Sequence, residues 1–146
     1  MAGVLFNVVT GELTTGTSVK TLAQVIAAAN QRVLVHAIEV SFKGVSTTDA
    51  PILVEVLRQT TAGTVTSLTP VKNNNGDDET LQTTASKDAS AEPTAGDILR
   101  SLEVHPQGRH TIYLPRPIVV KGGGRLGVRV TAAVSVSACV SLECEE

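Results

Sequence analysis

The closing stretch from Lys121 to Glu146 leaves the least freedom for what this chain can fold into. Gly122, Gly123 and Gly124 make a turn. Leu126, Val128 and Val130 then alternate with Arg125, Gly127 and Arg129, the period-2 pattern of a strand with one buried and one wet face. Past Thr131, Ala132 and Ala133, a second run places Val134, Val136, Ala138, Val140, Leu142 and Cys144 on one face. Ser135, Ser137, Cys139, Ser141 and Glu143 fall on the other. Two such strands cannot bury an apolar face alone, so the rest of the chain must supply a covering layer.

A chain of 146 residues suffices for one core and needs no second. Its apolar residues are mainly Val, Ala, Leu and Ile, with Phe6, Phe42 and Tyr113 as the aromatics, a composition that suits strands. The formal charge of -2, with no basic stripe, gives no reason to expect nucleic acid or a membrane surface as partner. Residues 1–10 lack the charged start and apolar core of a signal peptide, and no apolar run reaches a membrane span, so synthesis and residence in cytoplasm are expected.

Residues 1–18 read as an N-terminal strand or arm: an apolar run from Gly3 to Val9, a turn at Thr10 and Gly11, then an irregular Thr- and Gly-rich stretch. Residues 19–146 read as a single β-sandwich. Val19 to Ala29 fits two patterns. Leu22, Val25, Ile26 and Ala29 sit at helical spacing behind a Thr17 or Ser18 cap, which the local pattern favours; Val19, Thr21, Ala23, Val25 and Ala27 alternate as a strand would. Arg32 to Phe42 predicts a strand buried on much of both faces. A loop at Thr47 to Pro51 follows, then a strand at Ile52 to Arg58 that pairs antiparallel with its predecessor.

Residues 59–96, rich in Thr, Ser, Asn, Asp and Gly, read as one long polar surface loop with short strands or turns inside. Ile98 to His105 returns to strand. Thr111 to Val120 is extended, but Pro115 and Pro117 cannot donate to a ladder, which places it at a sheet edge or a bulge before the Gly-rich hairpin. Seven or eight strands without a βαβ rhythm predict an all-β, antiparallel two-sheet sandwich.

No constellation of catalytic type emerges. Gly122, Gly124 and Gly127 match G-x-G-x-x-G, but a strand follows where a nucleotide site needs a helix N-terminus. Asn73 to Glu79 offers oxygen ligands without the spacing of a calcium loop, and reads as a solvated acidic turn. His36, His105 and His110 come with no G-x-S-x-G elbow and no HExxH. Cys139 and Cys144 point to opposite faces of one strand, so they form neither a disulfide nor a metal pair; the first is half-exposed and the second core. No cofactor is expected, and the chain reads as a non-enzyme.

Four segments carry a resemblance: Ala29-Asn30-Gln31-Arg32-Val33-Leu34-Val35, Val56-Leu57-Arg58-Gln59-Thr60-Thr61-Ala62-Gly63-Thr64, Glu103-Val104-His105-Pro106-Gln107-Gly108, and the run from Gly122 to Ala132. Together they resemble small jelly-roll virion proteins of tailed bacteriophages, encoded beside head genes, of the kind that decorate or cement capsids. The resemblance spans most of the chain from about Lys20 onward. It implies a jelly-roll-like sandwich in which Val19 to Ala29 is a strand. It also implies a virion location, a major capsid protein lattice as partner, and a homotrimer at local three-fold positions. Edge strands and an N-terminal arm left open would call for a covering subunit. Val4, Leu5 and Phe6 of that arm are the expected capsid or subunit contact. The alternative of the same fold is a carbohydrate- or receptor-binding module of a phage fibre, which the few aromatic residues disfavour.

Overall fold

The computed structural model describes residues 3–44 and 49–146, and every regular element among them is a strand. In chain order these are β1 Leu5–Val9, β2 Leu13–Thr14, β3 Lys20–Ile26, β4 Val33–Lys43, β5 Ile52–Gln59 and β6 Thr64–Leu68. They continue with β7 Val71–Lys72, β8 Thr84–Ala91, β9 Ala95–Val104, β10 Arg109–Val120, β11 Arg125–Thr131 and β12 Ser137–Glu145. One sheet, A, runs β10-β4-β12-β1-β7, with β2 also on β12; the other, B, runs β6-β8-β3-β11-β5-β9. The pairs are antiparallel, and the two sheets pack as a sandwich, as the alternation of the closing strands requires.

The core lies between the sheets. Phe6, Val8, Val35, Ile38, Val40 and Leu142 from sheet A meet Val25, Val54, Val56, Leu126 and Val128 from sheet B, all buried. The phase of the last strand is as the sequence predicts, with Ala138, Val140, Leu142 and Cys144 inward. It starts later, however: Val134 sits in the turn before β12 and is 47% exposed.

Several expectations change. Val19 to Ala29 contains strand β3, as the resemblance implies and against the helix the local pattern favours; its residues are buried on both faces, so the apolar positions mimic helical spacing. β4 and β5 are not neighbours. β4 already has β10 and β12 on its two sides, so the chain crosses to sheet B, where β5 lies between β11 and β9. Thr47 and Thr48 of the expected loop lie outside the described residues. The glycines at 122–124 likewise join sheet A to sheet B rather than close a hairpin: Gly123, at φ 75, turns β10 into β11. The expected polar loop at 59–96 holds β6, β7, β8 and the start of β9, and Ala85 and Ala89 of β8 are buried. Residues 5–9 are no free arm, because β1 lies between β12 and β7.

The edges are blunted rather than open. β10 is an edge strand whose register breaks between Tyr113 and Ile118, around Pro115 and Pro117, so the sequence reading of edge and bulge holds. β9 carries two register shifts against β5 and the charges of Asp97, Arg100 and Glu103; β7 has only two residues.

Candidate docking face and buried polar network

Cross-strand register lines up side chains on the outer face of sheet A in rows. Tyr113, Ala37, Glu143 and Asn7 form one, followed on β7 by Val71; Thr111, Glu39, Ser141 and Val9 form the next. Small Ala37 and Ser141 floor a shallow depression walled by Tyr113, Glu39, Glu143, Thr111 and Asn7. Thr111 donates its hydroxyl to Glu39 at 3.1 Å, and Asn7 donates to Asn73. Tyr113 is 78% exposed, and Leu5, Val9, Val71 and Val119 are exposed on the same face. This concentration of apolar surface on one sheet face is the main candidate for contact with a partner.

Of the expected contact residues, Leu5 belongs to this face at 40% exposure. Phe6 does not: it alternates inward and is fully buried in the core. Val4 is half-buried and its backbone pairs with Glu146 at 2.9 Å, so it is tied to the sheet margin. Tyr113 was missed because its edge strand, interrupted by prolines, gives no contrast between wet and buried positions, and Val9 and Val71 because only the register of β1 with β12 and β7 brings them to this face.

At the end of this face, the imidazole of His36 lies 2.9 Å from Glu145, which also accepts from the Gly3 amide at 3.1 Å. The bond from His36, helped by that of Gly3, holds the Glu145 carboxyl below its ordinary range against the opposing effect of desolvation. His105 takes the Gln107 amide on its Nδ1 at 3.1 Å, and both His105 and His110 stand exposed beside the turn between β9 and β10. The three histidines therefore serve separate places. Among the described residues no group of three or more His, Cys, Asp or Glu converges as a metal site.

The outer face of sheet B is not wet as the alternation predicts. Gln24 and Gln59 are buried on it, and the Gln24 amide donates to Gln59 Oε1 at 2.7 Å and to Thr61 O at 3.2 Å. Gln59 donates to Thr21 Oγ1 at 2.9 Å, Arg125 to Gln24 Oε1 at 3.1 Å, and Thr21 gives its amide and hydroxyl to Glu92 at 2.8 and 2.9 Å. Arg129 pairs with Glu55 at 2.9 Å. The links between β5 and β6 and between β8 and β9 thus strap this face, each buried amide finding a partner. Gly127 of the G-x-G-x-x-G spacing serves here, leaving room for Gln59.

In the Asn73 to Glu79 turn the ammonium of Lys72 donates to the carbonyls of Asp77 and Glu79 at 2.6 and 3.0 Å, while Asn74 Oδ1 accepts from Gly76 and its amide donates to Asp77 at 2.9 Å. Cys139 is half-exposed and Cys144 buried, both free; burial, with the charge of Glu143, pushes the Cys144 thiol up to about 12. Compared with known proteins, the chain matches no family model, no curated protein and no solved structure.

Proposed function

We propose that the chain is a non-enzymatic virion protein of a tailed bacteriophage that binds the outside of an assembled head, as a homotrimer, and stabilises it. The resemblance of the four segments carries this reading, and the two-sheet sandwich and its strand order are compatible with the jelly roll which that resemblance implies. The contact is assigned to the outer face of sheet A through Leu5, Val9, Tyr113 and Val119, in place of the arm formed by Val4, Leu5 and Phe6. Many identical contacts on a lattice add up through avidity, so each can be weak.

The test is co-sedimentation of purified protein with undecorated capsids, with capsid melting as second readout. Deleting residues 1–13 would remove Phe6 and Val8 from the core, so Val9→Asp with Tyr113→Ala is the informative variant. Wild type should sediment with capsids and raise their melting temperature; the variant should fold and fail to do so. Wild-type protein that does neither overturns the proposal.

Tyr113 supports a second reading. An exposed ring beside Asn7, Glu39, Thr111 and Glu143 is the arrangement that stacks and hydrogen-bonds a sugar, as a fibre module would. Specific signal on a glycan array, lost in Tyr113→Ala, would favour it over capsid binding.

A further inference from the structure

The two lateral sides of the sandwich differ chemically. One is formed by β9 and β10, the other by β6, β7 and the turn after β7. Arg58 of β5 donates to Val119 O of β10 at 3.0 Å, which ties the two sheets together on the first side. There Arg100, Arg109, Arg116 and Lys121 are exposed against Asp97 and Glu103, with Ile98 uncovered between them at 49%. On the second side Asp77, Asp78 and Glu79 face the single base Lys72, whose ammonium is turned onto backbone carbonyls, and Val71 is 60% exposed. Among the described residues, none of those four bases and three acids enters an ion pair within the chain.

We propose that copies of this chain associate head to tail, the β9/β10 side of one against the β7 side of the next. A two-fold contact through either side would set an excess of like charge against itself, four bases with two acids on the first side and three acids with one base on the second. Only a heterologous contact brings the unlike sides together, and such contacts close into rings or grow into filaments. Blunted edges exclude a continuous ladder across the junction, so side chains carry it: Ile98 and Val71 exclude water while Arg100 and Arg116 meet Asp78 and Glu79. This inference gives the contact that would close the homotrimer proposed above and rests on that part of the reading; capsid binding stays separable, since self-association is read on the free protein with no capsid present.

Sedimentation velocity of the full chain, from about 1 to about 100 μM, in roughly 0.05 M and roughly 0.5 M NaCl, tests it, because exposed charges lose most of their mutual attraction at the higher salt. Wild type should form oligomers that weaken about tenfold or more at high salt. Arg100→Glu with Arg116→Glu, and separately Asp78→Lys with Glu79→Lys, should each give folded monomers by circular dichroism. Mixing the two variants should restore association, since one then offers only acidic sides and the other only basic ones. Monomeric wild type at low salt overturns the inference, as do variants that each assemble like wild type. So does monomeric wild type whose β9/β10 side retains nucleic acid in a salt-sensitive gel shift, which would assign the bases to that ligand.

Discussion

Gly127 lies directly beneath the amide of Gln59: a Cβ built at Gly127 would collide with the Gln59 Oε1 and Cδ atoms. The glycine is the space into which a buried glutamine folds back over its own sheet, and the hydrogen bonds of Gln59 to Gln24 and Thr21 depend on that space. Gly127→Ala should therefore displace Gln59 and cost about 1–3 kcal/mol. Gln59→Ala with Gly127→Ala should cost less than the two single changes summed, read from urea midpoints.

Val128 and its neighbour Arg129 separate the two faces of β11. Val128→Asp puts a carboxylate into a core position with no exposure and should cost roughly 4 kcal/mol or more. Alternation alone would leave Arg129→Asp nearly neutral, but Arg129 holds Glu55, whose side chain is only 11% exposed, at 2.9 Å. A second carboxylate there should cost roughly 2 kcal/mol or more. Thermal unfolding of both variants beside Arg129→Met checks the order, and a neutral Arg129→Asp would refute the pairing.

The His36–Glu145 contact makes an acid-side prediction. Because the folded carboxyl is held below its unfolded range, its contribution is fully present above the ordinary glutamate value and disappears as pH falls through the lowered one. The stability gap between wild type and Glu145→Gln should thus close on acidification from about pH 5 to about pH 3. A gap that instead opened on acidification would reverse the assignment.

Thiol titration separates the cysteines. Near pH 8 a disulfide reagent should label Cys139 in the native protein and leave Cys144, whose thiol stays protonated and covered, until denaturant is added. Rapid native labelling of both would place Cys144 outside the core.

Much of sheet A was legible because its outer face stays partly wet: the alternation of Ala138 to Cys144 and the prolines of β10 each located a strand and its place. Sheet B was harder to read. Its outer face is strapped, so Thr21, Gln24 and Leu57 are as buried as Leu22 and Val56, and the period of two that marks a strand fades. β8 hid for a related reason: its buried apolar residues are Ala85 and Ala89, too small to stand out in a run of Thr and Ser. The pairing of β4 with β5 was misread because adjacency in sequence cannot distinguish a hairpin from a crossing between sheets. The candidate face stayed invisible until register was known, since Asn7, Ala37, Tyr113 and Glu143 lie far apart in the chain.

Lys72 occupies the centre of the turn that follows it with its own ammonium, held by two backbone carbonyls. A loop that closes around an ammonium of its own chain has its backbone path set from within, while the carboxylates of Asp78 and Glu79 stay exposed outside that closure.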